Sequence, residues 1–436
     1  MNNSKMTVRV ALVMLAASLA ACGGGGEESG ADPKIRVLNL SAGYSSLDMM
    51  TNLDSEDDDD DETQVENVAL ETVSDFITLD PDDYTIKLRR SGSGSVLRSF
   101  AGEELVEDTI NTYVAFGDVG QFGALRIDES LDEADVGENT LHVANVSAAG
   151  ALDVYLTDAT TDLDDTTPVL SGVTASISQV TSDSGTFRLR VTASGDTSDV
   201  RLDIPDFVLA DRGVGSLILT STQGGMLTNG IFLPQQGQPT KYTNTRARVR
   251  GAVALANGAA ATIQLDGQTI LTSATAGVIA SRYTLLDSGS LPVGLVVNGT
   301  AVNVPDVMLS AGADYTLMVW GDAGNPQATL INDDNRLPAG GSGMTKLRLL
   351  NGMSTLSAPI TLSVDFSPVI EGVTVGEVSD EEEVTAGTDR QFDVSNTSTA
   401  APVLNRSSIS LQGNSVYTFF MTDNGTTPIG VLRKDR

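Results

Sequence analysis

The chain has 436 residues and is strongly acidic, with 58 Asp and Glu residues against 26 Lys and Arg and a formal net charge of −32. Such a charge repels nucleic acids and anionic lipid surfaces, so we predict no nucleic-acid partner. Hydrophobic residues make up 40% of the sequence. That fraction is enough to build folded cores, and it excludes a disordered acidic chain.

The N-terminus has the features of a secretory signal peptide. Basic residues are followed by an apolar or small stretch over residues 10–21, which is shorter than the roughly 20 apolar residues that span a bilayer. The sequence LAAC at residues 19–22 resembles the bacterial lipoprotein signal, in which the cysteine thiol receives the lipid. We therefore expect a signal peptide over residues 1–21 and lipidation of Cys22, the only cysteine in the chain.

A glycine-rich segment follows the cysteine. Residues 22–33 read as the lipidated cysteine and a flexible tether. Gly23, not Asp, follows Cys22, and in the lipoproteins that this signal resembles such a residue points to the outer membrane. We therefore expect the protein to be anchored by its lipid in the outer membrane, on the periplasmic face or at the cell surface. The membrane is then its first expected partner.

Short alternating patterns dominate the rest of the chain. Residues 84–88, 187–191 and 246–250 each place apolar and polar side chains on opposite faces, as a half-buried strand requires. Helical spacing of apolar residues is scarce, and no helix-length pattern separates the strands. The sequence therefore predicts an all-β fold.

The chain also contains a fourfold repeat. An opening strand recurs as IRVLNLS at 35–41, LHVANVS at 141–147, ARVRGAV at 247–253 and LRLLNGM at 347–353. The matched positions are Asn39, Asn145, Gly251 and Asn351, spaced by 106, 106 and 100 residues. A late strand recurs as TYVAFGD from Thr112, YTLMVWGD from Tyr315 and YTFFMTD from Tyr417, with a weaker SLILTS from Ser216.

Three segments are similar to a known repeat family. LDVYL from Leu152, VSDFITLDPDDYTIKL from Val73 and YTLMVWGD from Tyr315 resemble the domain of unknown function 4397 (DUF4397), which is common in secreted bacterial proteins and lipoproteins. The resemblance covers nearly all of residues 34–436. It concerns core strands and implies no catalytic residues.

We predict four tandem immunoglobulin-like or transthyretin-like β-sandwich domains after the signal peptide and tether. Each unit has about 100 residues, which suits a compact domain. Because the connectors are polar and rich in Gly and Pro, as at 335–341, we interpret them as linkers between the units. We also expect residues 343–436 to fold alone, because about 94 residues with six or seven strands can bury a core. The predicted domains are 34–139, with an acidic insertion at 54–66, then 140–242, 243–342 and 343–436.

The acidic insertion is the sharpest local feature. A run of like charge is usually solvated, and we favour that interpretation. Oxygen-rich loops also bind calcium, so weak divalent-cation binding stays an alternative, as does a specific protein contact. The run contains no glycine, and its spacing fits no EF-hand. The weak candidate ligands are Asp57, Asp58, Asp59, Asp60, Asp61 and Glu62.

Few other residues could support chemistry. His142 is the only histidine, and we expect it on the solvent face of an opening strand. Trp320 is expected in a core, whereas Tyr44 and Tyr155 are the better candidates for exposed aromatic rings. No motif for a nucleophile, a phosphate loop or a zinc site is present. We predict no cofactor and no enzymatic activity.

Three functions remain open. The first is a lipid-anchored structural or interaction protein of the cell envelope, with a protein or glycan partner. The alternative is an array of carbohydrate- or divalent-cation-binding modules. A hydrolase that uses carboxylates is the third, since 58 acidic residues guarantee chance carboxylate pairs.

Overall fold

A computed structural model describes residues 30–54, 61–338 and 342–436. Within these residues the regular secondary structure is β-strand apart from one 3₁₀ turn, and the strands form β-sandwiches, which confirms the predicted fold class. Across the same residues, no helix is long and apolar enough to cross a membrane. Cys22, the signal peptide and Asp57 to Asp60 lie outside the described residues.

The first repeat is a sandwich of two sheets. Its strands are β1 (Lys34–Leu40), β2 (Ser46–Leu53), β3 (Glu62–Ala69), β4 (Thr72–Val73), β5 (Ile77–Thr78), β6 (Asp82–Arg90), β7 (Val96–Leu105), β8 (Ile110–Phe116) and β9 (Gly123–Asp128). The sheet that contains the opening strand, here called the opening sheet, has the order β4-β1-β8-β9, and β5 also pairs with β1. The second sheet has the order β3-β2-β6-β7.

The second repeat has the same plan. Its strands are β10 (Glu138–Asn145), β11 (Leu152–Thr157), β12 (Leu170–Val173), β13 (Ser178–Asp183), β14 (Gly185–Ala193), β15 (Asp196–Leu209), β16 (Gly213–Ser221), β17 (Thr228–Pro234) and β18 (Thr240–Tyr242). The opening sheet has the order β13-β10-β16-β17-β18, and the second sheet has the order β12-β11-β14-β15.

In the third repeat, two shorter strand pairs take the place of the long β14–β15 hairpin of the second repeat. Its strands are β19 (Arg246–Leu255), β20 (Ala261–Leu265), β21 (Gln268–Ala274), β22 (Val278–Ile279), β23 (Thr284–Asp287), β24 (Gly289–Leu291), β25 (Val293–Val297), β26 (Thr300–Val302), β27 (Val307–Leu309), β28 (Asp314–Asp322) and β29 (Asn325–Asp333), with a 3₁₀ turn at Ala256–Gly258. The opening sheet has the order β22-β19-β28-β29, with β23 also on β19. The second sheet is β21-β20-β25-β26, and β24 pairs with β27.

The fourth repeat returns to the simpler plan. Its strands are β30 (Met344–Asn351), β31 (Ile360–Val364), β32 (Ser367–Val373), β33 (Glu382–Thr385), β34 (Gly387–Asn396), β35 (Pro402–Leu411), β36 (Val416–Asp423) and β37 (Pro428–Lys434). The opening sheet has the order β33-β30-β36-β37, and the second sheet has the order β32-β31-β34-β35.

Every opening sheet contains a parallel pair formed by the opening strand and the late strand. These pairs are β1–β8, β10–β16, β19–β28 and β30–β36, whereas the neighbouring pairs are antiparallel. Parallel strands are usually covered on both faces, so their sequences read as continuous apolar runs. Side chains that alternate inward, such as Ile35 and Val37, build a separate core inside each sandwich.

The outer faces of the opening sheets are covered by other repeats. The first repeat packs against the second in the first seam, a cluster made of Leu38, Leu40, Val114, Ile127, Ile218, Ile231 and Leu233. The third repeat packs against the fourth in the second seam, made of Ala252, Ala254, Ile279, Met318, Ile331, Leu350 and Phe420. The repeats therefore associate in two pairs through equivalent surfaces.

The second seam is closely packed. A Cβ atom added at Gly352 of the fourth repeat would lie 2.4 Å from the Cβ of Ala254 in the third. A Cβ at Gly376, where φ is +86°, would lie 2.4 Å from the Trp320 ring of the third repeat. Only glycine permits such approaches, so these two positions fix how near the two sandwiches lie.

The parallel register corrects the sequence alignment of the third repeat. Arg36 lies opposite Thr112, Arg348 opposite Thr418, and Arg250 opposite Thr316. Arg250, not Arg248, is therefore equivalent to Arg36. In this repeat the position of the matched asparagine is occupied by Val253, not by Gly251. The sequence alignment was two residues out of register, because an alternating segment such as ARVRGAV matches equally well after a shift of two residues.

Two of the three connectors contain a buried asparagine where we expected a polar linker, whereas residues 131–133 and 135–137 of the first connector are exposed. Asn244 and Asn335, which join consecutive repeats, are 5% and 0% exposed. Asn335 donates a hydrogen bond to the carboxylate of Asp314 over 2.8 Å. The expectation relied on polarity and on Gly and Pro content, but both side chains are buried and their amide nitrogens donate to buried acceptors.

Truncating the centre of the second seam tests the pairing. Phe420 is 0% exposed, so we expect Phe420→Ala to lower the free energy of unfolding by about 3–5 kcal/mol. Phe366→Ala in the same repeat is the control, because Phe366 is 76% exposed. Urea unfolding of the full chain in detergent measures both, and equal effects of the two substitutions would contradict the seam.

Candidate functional site

Three repeats carry the same buried polar group on the seam-facing side of the opening sheet. It consists of an arginine from the opening strand, a threonine beside it on the late strand, and a carboxylate at the C-terminal end of the sheet's last strand or directly after it. The threonine and the carboxylate are 17 positions apart each time. The three triads are Arg36–Thr112–Glu129, Arg250–Thr316–Asp333 and Arg348–Thr418–Asp435.

The first triad is closed within its own repeat. Arg36 Nη2 lies 2.7 Å from Glu129 Oε2, and their side chains are 1% and 2% exposed. Arg36 Nε donates to Thr112 Oγ1 over 2.8 Å. The remaining nitrogen, Nη1, donates to the carbonyl of Gly237 in the second repeat over 2.8 Å, and the guanidinium lies 4.2 Å from the ring centre of Phe76. This triad therefore adds polar bonds across the first seam.

The third and fourth repeats exchange their carboxylates. Arg348 Nη2 of the fourth repeat lies 2.8 Å from Asp333 Oδ1 of the third. In return, Arg250 of the third repeat pairs with Asp435 of the fourth. All four side chains are 2% exposed or less. The exchange has the reciprocal form of a two-fold symmetric interface, realised here within one chain.

The second repeat has uncharged residues in the triad positions. His142 lies opposite Ser216 in the parallel register, and Gln235 follows the last long strand. His142 is 7% exposed, and its Nε2 lies 3.2 Å from Gln179 Oε1. The expectation that His142 faces solvent is wrong, because the outer face of this sheet is packed in the first seam.

Further charges extend the network at the second seam. Arg248 makes two hydrogen bonds of 2.8 Å to the carboxylate of Asp314. The Arg248 guanidinium also lies 4.6 Å from the ring centre of Tyr283. The hydroxyl of Tyr283 donates to Asp333 Oδ2 over 2.7 Å. The Tyr283 ring thus contacts the Arg248–Asp314 pair, and its hydroxyl bonds to the Arg348–Asp333 pair.

Burial and charge oppose each other at Asp333. Burial raises the pKa of Asp333, but the charges of Arg348 and Arg250 and the hydrogen bonds from Thr316 and Tyr283 together lower it by more, so the pKa lies below its usual value. Burial and the neighbouring Asp333 carboxylate hold the pKa of Tyr283 well above its usual value. At neutral pH the carboxylate is therefore ionised, and the phenol remains a neutral hydrogen-bond donor.

This arrangement is suited to holding protein surfaces together. Removing one member of a buried ion pair typically costs about 3–5 kcal/mol, because the partner charge is left without compensation. The guanidinium groups, unlike lysine, stay protonated in such surroundings and can bond several acceptors at fixed angles. The network therefore selects one relative position of the repeats over others.

The described part of the acidic run has identified contacts. Asp61 Oδ1 lies 2.7 Å from Lys87 Nζ, and Glu62 begins β3. Lys87 thus offsets one of the charges, although it is distant in sequence. Across the described residues, no three His, Cys, Asp or Glu side chains are grouped closely enough to hold a metal ion.

The aromatic candidates are occupied by protein contacts. Tyr155, which we expected to be exposed, is 3% exposed. Tyr44 is half-buried, with its ring centre 5.5 Å from that of Phe122 in an edge-to-face contact. Trp320 is half-buried beside the second seam rather than inside a sandwich core. None of the three rings forms an open platform.

Sequence reasoning missed the arginines. The alternating segment 246–250 indicated a half-buried strand with its polar face in solvent. Arg248 and Arg250 instead lie beside buried carboxylates, whereas Arg246 pairs with the exposed Asp287. The constant 17-residue interval between threonine and carboxylate was the available signal, because unpaired surface residues have no reason to keep it.

A family model now accounts for the repeat. The model described as Domain of unknown function (DUF4397) matches residues 33–155 and 247–354, which together exceed half of the chain. The chain belongs to this family. The resemblance that the sequence suggested is confirmed, and the two DUF4397 matches contain the complete Arg36 and Arg250 triads.

Solved structures give weaker likenesses. The carbohydrate-binding module CBMbc (family CBM26) of Eubacterium rectale Amy13K, in complex with maltoheptaose, is 14% identical, with 43% of this chain and 92% of that chain covered and a TM-score of 0.16. The Bacillus anthracis TIE protein is 8% identical, with 92% and 76% covered and a TM-score of 0.15. At these scores neither likeness supports an inference. No curated protein matches this DUF4397 chain.

Replacing the shared carboxylate tests the network. Because the pKa of Asp333 is depressed, its contribution to stability is complete above the unfolded value near 3.8 and is lost as the pH falls through the lower folded value. We expect Asp333→Asn to destabilise the protein by about 3–5 kcal/mol at pH 7. The variant should also lose less stability between pH 5 and pH 2 than the parent.

Asp287→Asn is the matched control, because Asp287 pairs with Arg246 while its side chain is 81% exposed. Urea unfolding of each protein across this pH range gives the comparison. A loss at pH 7 no larger than that of the control would show that the buried network does not stabilise the fold.

Proposed function

We propose that the protein is a lipid-anchored structural and interaction component of the cell envelope. The sequence before the first repeat supplies the proposed anchor at Cys22. The packing of the repeats supplies the main support for a structural role. Two seams and a buried arginine–carboxylate network hold the sandwiches in fixed relative positions, as a load-transmitting or surface-presenting protein requires.

The distance from the proposed anchor to the first repeat is short. The backbone is already fixed at Gly30 and Ala31, whose N–H groups donate to Glu107 and Asp108 over 2.9 and 2.8 Å. Only residues 23–29 lie between these bonds and Cys22. Seven residues span at most about 25 Å when fully extended. The proposal therefore places the first repeat close to the membrane surface.

A structural role is also favoured over catalysis by the surroundings of the reactive groups. His142 is committed to Gln179 beside the first seam, and the buried carboxylates of the triads are neutralised by arginines. A hydrolase would need a carboxylate pair facing substrate, with pKa values moved apart. We propose that the protein is not an enzyme, with outer-membrane localisation as part of the same proposal.

Lipidation is tested by replacing the thiol. We expect Cys22→Ser to move the protein from the membrane fraction to the soluble fraction, or to leave it uncleaved, because a hydroxyl cannot accept the lipid as a thiolate does. Ser29→Ala keeps the cysteine and should leave membrane partitioning unchanged. Membrane fractionation with a lipid-specific mass shift measures both variants. Unchanged partitioning of Cys22→Ser would contradict the anchor.

A further inference from the structure

A cleft, here called the first cleft, opens at one end of the first seam. It has a volume of about 570 Å³ including its mouth. Its apolar lining comes from both repeats, with Leu40, Leu70 and Phe116 from the first and Val146 and Ile231 from the second. Leu40 and Ile231 are 6% and 3% exposed, so they lie at its base. The apolar cluster of the first seam is therefore accessible from solvent at this end.

The second seam is closed at the corresponding end. Asn257 of the third repeat donates its N–H to the carbonyl of Asn424 in the fourth repeat over 3.1 Å. A Cβ added at Gly277 of the third repeat would lie 3.4 Å from Cγ2 of Ile429 in the fourth. The two repeats therefore touch where the first and second repeats leave a cleft.

Side-chain size explains the difference between the two seams. In the strand registers, Leu40 and Val146 occupy the positions that Ala254 and Gly352 occupy in the second seam. Ala254 and Gly352 approach so closely that even a methyl group at Gly352 would overlap Ala254. Leucine and valine cannot pack at that distance, so they hold the first two repeats further apart. The opening is thus a property of the sequence of these two repeats.

The mouth of the first cleft carries a carboxylate without an ion-pair partner. Asp118 lines the cleft and is exposed. Among the residues that the structure describes, no Lys or Arg nitrogen lies within 4.0 Å of its carboxylate. Glu71 also lines the cleft, but it pairs with Lys241 at 2.6 Å. Asp118 is therefore the charge that remains available to a partner.

A second cleft continues from the first. The two clefts share Asp118 and Ser221, and the second has a volume of about 1000 Å³ including its mouth. Its opposite wall includes Leu337 from the connector between the third and fourth repeats, and Lys346 and Glu383 from the fourth repeat. Together the clefts form one groove across several repeats, which suits an extended chain better than a compact small molecule.

We propose that this groove binds an extended segment of a partner protein, with an apolar side chain in the first cleft and a neighbouring Lys or Arg at Asp118. Protein interfaces concentrate binding energy in such buried anchors. The net charge of −32 favours a basic partner. The chain's own residues 23–29 do not provide the anchor, because they contain no apolar side chain.

The inference rests on the interaction role proposed above and names the chemistry of the partner. It does not require the lipid anchor, because peptides in solution reach the groove in either case. Membrane fractionation of Cys22→Ser and peptide binding are separate measurements, so the anchor and the groove can fail independently.

Selection from a phage-displayed library of random short peptides tests the groove, with the full chain in detergent as the bait. Ala42 lines the first cleft and is exposed, so Ala42→Trp fills the cleft, and an unchanged melting temperature verifies its fold. We expect the enriched peptides to place an apolar residue next to Lys or Arg. Their dissociation constants should rise about tenfold or more in Ala42→Trp, because the apolar anchor is no longer buried.

Two charge variants complete the test. Asp118→Asn should weaken binding about threefold, as expected for an ion pair at the rim of an interface. Asp322→Asn is the matched control, because Asp322 occupies the same position in the third repeat, is exposed and carries the same charge, and its binding should equal that of the parent. Equal weakening by both substitutions would contradict the role of Asp118.

Two other results would overturn the proposal as a whole. One is the absence of enriched peptides, or peptides that bind the parent and Ala42→Trp equally well. The other is a dimer of the parent in analytical ultracentrifugation that Ala42→Trp dissociates, since the first cleft would then be occupied by a second copy of this chain.

Discussion

The parallel pairing of the opening and late strands is the constraint on which the rest of the structure depends. It puts two apolar strands side by side at the centre of each opening sheet, with apolar side chains on both faces. One face is covered by the sandwich core, and the other must be covered by something else. The four repeats solve this by packing in pairs, so the pairing of domains follows from the pairing of strands.

The triads make that packing specific. An apolar seam alone tolerates small shifts, because burial energy has no direction. Arg348 and Asp333 meet only when the third and fourth repeats have one relative position, and the reciprocal pair of Arg250 and Asp435 imposes the same position from the other side. Burial makes both pairs costly to separate, because each would leave a charge without a partner.

The second repeat has uncharged residues at the triad positions, so the first seam forms with a charged triad on one side only. His142, Ser216 and Gln235 replace the arginine, threonine and carboxylate there. The charged pair of the first triad lies within the first repeat, and it bonds to the backbone of the second through the Gly237 carbonyl and the Gln236 N–H. An exposed ion pair, Lys241–Glu71, also joins these two repeats. Both seams are apolar at their centres. Only the second has buried ion pairs between its two repeats, so we expect those two repeats to be coupled more tightly.

The sequence was sufficient to predict the all-β class, the repeats and the family. Those depend on local alternation and on recurring core strands, which leave a clear pattern in a single chain. The contacts between repeats were not predictable in the same way. An arginine in an alternating strand, such as Arg250, reads as solvent-facing whether or not another domain covers it.

Similar reasons explain the other failures. The connector residue Asn335 is polar, which predicts exposure, yet its amide has a buried carboxylate partner more than twenty positions away. Lys87 offsets the charge of Asp61 across two strands, a pairing that sequence distance concealed. In the first case polarity was taken as a sign of exposure, and in the second the partner was too distant in sequence to be recognised.

The most direct test of the coupling compares two fragments, residues 243–436 and residues 343–436, by urea unfolding followed by circular dichroism. The longer fragment keeps the second seam and both exchanged ion pairs. The shorter one exposes Leu350 and Phe420 and loses Asp333, the partner of Arg348. We expect the two-repeat fragment to unfold in one cooperative transition, and the single repeat to unfold at a markedly lower urea concentration or to self-associate. Equal midpoints for the fourth repeat in both fragments, with the shorter one monomeric, would contradict the coupling of the repeats.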